Sequence, residues 1–572
     1  MKKMADRLIA SKAGWIILLL LIIVVNFLAS IFHSRIDLTR EKRYTLSQAT
    51  RNLLTQLDDK VQIDVFLKGD FPAGFRKLAN STDEFLRLMK DRNGTRVQYR
   101  FISPQDEIPN SGGRPWEDSL NKMGANAITL SVQVKAGEET KRVYPVALMT
   151  YKGKQALVDL YTGGKRMITA VEMNSAEAMM EYQFAKTLNG LIDTGRPMIA
   201  YSFGNGEPTD ARTYGLQMAL QNDYQLFTID LNKQAVISDT FDVLMIVKPT
   251  MQFTEQEILK IDQYIMRGGK LLLYIDALIA EQDSLRYKPE TIAFDRNLNL
   301  TELLFRYGVR VNTSLLMDLQ CDFLPFAVGG NSENPQFEFL HWNYYPLFES
   351  RGNHTINRNL GLVAGRFVNP LDTIASPGIE KTVLLASSPN SRIISTPALI
   401  SLNENRNAPE DEKFRQDNIP AAILLEGSFT SLFRNRVSRA QRDTLAELGM
   451  EFRDRSPASS KIIVVGDGDM AMNDVSPQQG PLPMGLNLFT AGSQYEYQFA
   501  NREFLLNSLE YLVSNPAISE TRNKDIVLRL LDTKKVEAGR LRWQLINIAF
   551  PVLLVILAGF IYQYIRRRKY AD

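Results

Sequence analysis

The chain has 572 residues with 67 Lys and Arg against 64 Asp and Glu, and its formal net charge of +3 is spread with both signs mixed throughout, so nucleic acid is not an expected partner. The single cysteine, Cys321, excludes an intramolecular disulfide, a CxxC pair and a thiolate zinc cluster. With only His33, His341 and His354, and no HExxH or HxH spacing, there is little material for imidazole catalysis or a histidine metal site, and no cofactor is expected.

In chain order, residues 1–14 form a short tail carrying Lys2, Lys3, Arg7 and Lys12, followed by an uncharged run from Trp15 to Phe32. A helix rising about 1.5 Å per residue over that length nearly crosses a hydrocarbon core about 30 Å thick, so 15–32 reads as a transmembrane helix. It is long for the apolar part of a signal peptide and lacks a small-x-small cleavage pattern, so it reads as a retained anchor. Residues 33–170 then predict a small membrane-proximal α+β domain. Ser47 is positioned as an N-cap before a stripe of Leu46, Ala49, Leu53, Leu54 and Leu57. A strand at Val61–Leu67, a helix around Phe75–Asp91, a strand at Arg96–Ile102, a short helix near Trp116–Met123 and alternating runs between Ala127 and Leu160 complete it.

Asn174–Asp193 is a strong helix, and beyond it the rhythm changes. Near-continuous apolar strands at Met198–Phe203, Leu226–Leu231, Val243–Pro249 and Lys270–Asp276 alternate with helices near Ala211–Asn222 and Glu255–Arg267, the pattern of a parallel sheet covered on both faces. Thr254 and Glu257 form a capping box, and Gly268-Gly269 supplies the left-handed stop. The same sheet resumes at Lys461–Val465 and closes with a helix at Asn501–Val513, so the α/β domain takes residues 171–300 and 455–515. Residues 301–454 are an insertion or a second α/β subdomain, with a polar loop at Asn403–Asp417. A helical linker at 516–542 leads to a second uncharged run, Trp543–Ile565, which reads as the other transmembrane helix, and to a tail at 566–572. Two spans put both termini on one side. The cluster Arg566 to Lys569 and the short tails favour cytoplasmic termini and an extracytoplasmic middle.

In a doubly wound sheet, ligands sit beyond the carboxyl ends of the strands. Those ends carry Asn205 and Glu207, Lys248, Asp276, and Asp467 and Asp469, which can converge on a pocket for a polar ligand or a cation. The same residue types are what any strand-to-helix turn prefers. No GxGxxG, GxxxxGK[ST] or GxSxG occurs, so phosphate-loop and nucleophile-elbow chemistry lack their residues. The densest aromatic stretch, QFEFLHWNYYPLF from Gln336 to Phe348, holds Trp342 and Tyr344, which suit either stacking on a sugar ring or partner protein, or core packing.

Several segments together resemble the GldG family of gliding-motility-associated ABC transporter auxiliary proteins of the Bacteroidota. They are IDLTREKRYTLSQATRNLL after the first anchor, YSFGNGE, QYIMRGGKLLLYID, HWNYYPLFES, the run from Asn369 to Pro397, and VVGDGDMAMND. The resemblance implies a protein of the bacterial inner membrane with a large periplasmic body, working with a separate ABC permease subunit and a cytoplasmic ATPase subunit; two copies flanking a dimeric transporter are expected. It also implies a glutamine-amidotransferase-like, flavodoxin-like domain used without catalysis and similar to a domain of an intraflagellar-transport protein. The family offers no catalytic residues to carry over. The expected function is a non-catalytic, substrate-binding-like auxiliary subunit. The alternatives are an envelope glycan or peptide hydrolase pairing two of Glu207, Asp276, Asp467 and Asp469, or a glycan-binding scaffold using Trp342 and Tyr344.

Overall fold

The computed structural model describes residues 45–570, except 110–112, 126, 135–136, 162–169, 193–194, 222, 282–287, 289, 331–334, 351, 353, 359, 403–410, 448–450 and 514–532, together with residues 19, 20, 22–24 and 26. The expected cap at Ser47 is present: its hydroxyl accepts the Thr50 N–H and starts α1 (Gln48–Gln56), which buries Ala49, Leu53 and Leu54. Next come β1 (Val61–Val65), α2 (Ala73–Arg92), β2 (Val97–Phe101), α3 (Trp116–Lys122), a hairpin of β3 (Ile128–Val134) and β4 (Gly137–Val143), β5 (Val146–Tyr151), β6 (Lys154–Asp159) and α4 (Ala170–Ile192). The sheet order is β2-β1-β5-β6, with β1 parallel to β2 and antiparallel to β5. Alternation sorts its side chains. Val61, Ile63, Val65, Ala147 and Met149 face α1, α2 and α4, while Val146 and Leu148 pack with Phe66, Trp116 and Leu120 on the other side.

Beyond α4 lie β7 (Met198–Phe203), α5 (Tyr214–Leu220), β8 (Gln225–Asp230), β9 (Val243–Val247), α6 (Glu255–Met266), β10 (Lys270–Tyr274) and α7 (Thr301–Tyr307). The chain then adds β11 (Cys321–Gly330), β12 (Pro335–Ser350), β13 (Ile379–Ala386), β14 (Pro420–Gly427), α8 (Arg439–Glu447), β15 (Ser460–Val465) and α9 (Asn501–Val513). The strands β8-β7-β9-β10-β15 are all parallel, in the order 2-1-3-4-5 of one common doubly wound sheet. Every residue of β9 is buried, as a strand covered on both faces requires. Met245 and Leu272 face Leu216, Leu505 and Leu509 of α5 and α9. Leu244 and Leu271 face Ile258, Ile261 and Ile265 of α6. The Thr254–Glu257 capping box is formed.

Residues 301–454 do not build an α/β layer of their own. Their long strands continue the main sheet: β14 pairs antiparallel with β15, and β13, β12 and β11 follow in turn. Short strands, among them 278–279, 290–295 and 398–401, lie over this extension and enclose a second core around Trp342, Tyr344, Tyr345 and Phe367.

A separate unit begins at Ile526 and contains α10 (Thr533–Tyr570). Its stretch Arg542–Arg568 is long and apolar enough to cross a membrane. Of the first apolar run, only residues 19, 20, 22–24 and 26 are described; they are helical and exposed, and the remainder of that expected span lies outside the described residues.

Candidate functional site

The carboxyl edge of the parallel strands brings four of the expected residues together. Lys248 follows β9 with a left-handed φ of 46° and is almost fully buried. Its ammonium lies 2.7 Å from Asp469 Oδ1 and 3.2 Å from both Asp276 Oδ2 and Glu281 Oε2. Asp276 Oδ1 accepts the Gly468 N–H at 2.5 Å. Asp467 accepts the N–H groups of Asp469 and Arg366 at 2.7 and 2.6 Å. Arg366 in turn forks onto Asp474 at 2.6 and 2.7 Å, and Arg296 reaches Glu281 at 2.8 Å. A Cβ on Gly468 would lie 2.5 Å from Lys248 Cβ, so only glycine lets β15 turn this close to the lysine.

The electrostatics follow from this crowding. Burial alone would lower the Lys248 pKa, but Asp469, Asp276 and Glu281 outweigh it and hold the ammonium well above its usual range. Burial pushes Asp276 up, against the pull of Lys248. Burial, then the neighbouring Asp469 and Asp276, pushes Asp467 well above the usual carboxylate range. Lys248 therefore stands where a cationic ligand would sit. It also fills the space between Asp276 and Asp469 that an acid–base pair would need open.

Asn205 and Glu207 sit apart from this network, in the turn after β7, beside the β7/β9 boundary where the strand order reverses and ligands commonly bind. There the loop is tied down by its own hydrogen bonds. The Asn205 carbonyl accepts the Thr250 and Met251 N–H groups at 2.9 and 2.8 Å. Glu207 accepts the Ser202 hydroxyl at 3.0 Å and the Asn205 N–H at 2.8 Å, and burial raises its pKa. The Asn205 amide reaches Glu257 of the α6 capping box at 3.3 Å. Gly206, at φ +80°, lies so near Thr250 that a Cβ would collide with its hydroxyl.

Trp342 and Tyr344 lie in neither place. Both are core residues at 0 and 1% exposure; the Trp342 Nε1–H donates to the Ser401 carbonyl at 3.3 Å and the Tyr344 hydroxyl to that of Leu399 at 3.2 Å. A sugar has no access to either ring. The period-2 alternation of β12 turns Phe337, Phe339 and His341 the other way. There the His341 ring lies 4.0 Å from Phe323, and Tyr495 lies 4.8 Å from Phe323 and 5.0 Å from Phe339. Phe337 is 60% exposed. Cys321 is buried and burial drives its thiol pKa far up, which leaves it inert.

One arrangement escaped the sequence reading. On one side α4 presents Glu181, which accepts the Ser47 N–H and the Thr50 hydroxyl, both at 2.7 Å, at the start of α1. On another side Tyr182 donates to Glu510 of α9, and Lys186 lies 2.7 Å from Asp223. The same helix is thus built into the first sheet's core and bonded to α9 and to the turn after α5 in the main sheet. Its signal was present: Ala176, Ala178, Met180, Tyr182, Phe184 and Ala185 point in all directions, and a helix apolar all round is buried on all sides.

Comparison with known proteins adds the following. A family model described as an ABC-type uncharacterized transport system matches residues 196–508, and one described as a domain of unknown function (DUF7088) matches residues 40–150. An uncharacterized protein of Borreliella burgdorferi is 21% identical over 447 residues, which is 76% of this chain and 81% of that protein. Among solved structures, the mmIFT52 N-terminal domain has a TM-score of 0.30 at 13% identity, over 56% of this chain and 98% of that one. The exo-beta-1,4-mannosidase Op5Man5 of an Opitutaceae bacterium has a TM-score of 0.19 at 11% identity, over 74% of this chain and 50% of that one. Neither score carries an argument about this fold.

Proposed function

Since the chain belongs to the auxiliary-protein family of an ABC-type transport system, we propose that it is a non-catalytic subunit that relays conformational change within an ABC transporter complex. On this reading it resembles the GldG proteins in role as well as in sequence, with a permease subunit and a cytoplasmic ATPase subunit as partners, two copies per complex, and an association with gliding motility. The spans at 15–32 and 543–565 hold it in the inner membrane with both tails cytoplasmic. The α+β domain of residues 33–170 is membrane-proximal, and an amidotransferase-like domain takes residues 171–300 and 455–515.

The observation that carries relay over substrate capture is the state of the two positions where such a sheet takes a ligand. One holds the Lys248 ammonium and the other holds the loop from Gly204 to Glu207. A ligand can shift a conformational equilibrium only through differential contacts, and here the protein's own groups occupy the places for them. The bonding of α4 to both sheets supports the same reading, since motion of one domain then reaches the other through a rigid rod. The test is purification of the full chain in mild detergent with identification of what co-elutes. An ABC permease and an ATPase are expected together; recovery of the chain with neither overturns the proposal. Protease added to intact spheroplasts is expected to remove the body, and survival of the body with loss of the tails reverses the topology.

A second reading, binding of an envelope sugar, is favoured by the outward aromatic face of the β11–β12 hairpin, where Phe337 is open to solvent. Calorimetric titration with envelope oligosaccharides checks it, and equal heats from wild type and Phe337→Ala dismiss it.

A further inference from the structure

The last turns of α10 carry Arg566, Arg567, Arg568 and Lys569 in succession, immediately after an uncharged stretch. Residues on a helix step around its axis by about 100°, so Arg566, Arg567 and Arg568 alone spread over about 200° of its circumference. A protein partner docks on one side of a helix, whereas the headgroups of a bilayer surround it completely. We propose that these four residues form a collar that binds the phosphates of anionic phospholipids in one leaflet. The proposal rests on reading α10 as a membrane span.

The geometry fits that depth. From Trp543 to Tyr564 the helix rises about 32 Å, close to the hydrocarbon thickness of about 30 Å. Trp543 at one end and Tyr562 and Tyr564 at the other are all more than 60% exposed, where interfacial aromatic residues belong. The Arg568 guanidinium lies 5.4 Å from the centre of the Tyr564 ring, which holds the cation beside the aromatic belt. The collar is therefore at headgroup level when the apolar stretch is centred. The negative end of the helix dipole also favours cations there, and guanidinium groups bind phosphate with paired hydrogen bonds.

The full chain is reconstituted in nanodiscs of equal phosphatidylcholine and phosphatidylglycerol, and the lipids that stay bound on release are counted by native mass spectrometry. Each cation near an anionic leaflet is worth about fivefold in affinity, so a phosphatidylglycerol preference of about tenfold or more is expected, falling as NaCl is raised. Joint replacement R566Q/R567Q/R568Q/K569Q is expected to abolish the preference without hindering insertion. Changing the three arginines to lysine is expected to keep most of it. An unchanged preference in the glutamine variant, or none in the wild type, overturns the collar. A chain that does not enter the nanodiscs at all overturns the spanning helix first, and the collar with it.

Discussion

Lys248 and Lys186 each anchor an ionic network, and the two networks are built for different tasks. Lys248 is buried against three carboxylates, all held at the carboxyl edge of one sheet or in the segment just after it, with its side chain 4% exposed. Lys186 has one carboxylate, Asp223, at 2.7 Å and keeps 28% of its side chain in solvent. Burial works against its charge, but Asp223 and Glu510 raise its pKa to about 12. The first network cannot lose its cation without stranding charge in the interior. The second joins α4 to the elements of the main sheet and can open into water. A rigid plug within one domain and a joint between two is the division of labour that a relay requires.

Lys248→Met separates these roles most sharply. It leaves Asp276 and Asp469 without their cation, and breaking a buried pair from one side costs about 3–5 kcal/mol, which a thermal or urea unfolding series of the full chain measures. The pH sign sharpens the test. Without the ammonium, the folded pKa of Asp276, already raised by burial, rises further above its unfolded value, so the folded variant binds more protons than the unfolded one and its stability increases as pH falls. The deficit against wild type is therefore expected to shrink from pH 8 to pH 5. A constant deficit means that Lys248 contributes packing and not charge.

At the joint, Tyr182→Phe removes a donor from the buried carboxylate of Glu510. Hydrogen bonds to charged groups are worth about 1.5–3 kcal/mol, and the loss is expected to appear as faster amide exchange along α4 and the last turn of α9 while the β9 and β10 amides stay protected. Equal loosening of the main sheet removes the distinction between joint and plug. Gly206→Ala acts on the loop after β7, which lies outside the Lys248 network. Its left-handed φ and the approach to Thr250 make alanine unfavourable by about 1–2 kcal/mol, and the Thr250 and Met251 amides, which bond to Asn205, are expected to exchange faster.

The parallel half of the sheet was legible from sequence because buried parallel strands and their helices leave strong one-dimensional signals: the apolar run VLMIV of β9, the Thr254–Glu257 box and the Gly268 stop all stand where the pattern puts them. The antiparallel half was not. Apart from the β11–β12 hairpin, its strands are joined by long connections: β14 pairs with β15 across residues 428–459, so nothing local says that 301–454 extends the same sheet. The expected site residues were found as neighbours in part, since strand ends alone bring Lys248, Asp276 and Asp469 together. Glu281 and Arg366 complete that network from segments outside the parallel strands and carried no signal. The close packing at these two turns depends on Gly206 and Gly468 meeting side chains 44 and 220 residues away, which no periodicity encodes.

The smallest effect on stability is expected at Phe337, and that is what makes it informative. Trp342 and Phe337 lie five residues apart on β12, one with no exposure and one with 60%. Trp342→Ala would empty the second core and cost about 3–5 kcal/mol. Phe337→Ala removes a ring that already faces water, so a change within about 0.5 kcal/mol is expected. A stability loss comparable to that at Trp342 would mean that this ring packs against something in the assembled protein. An unchanged stability with weakened sugar binding would favour the second reading of the chain. Unchanged stability and no binding in either form would leave the hairpin face without a ligand role and return the weight to the joint at α4.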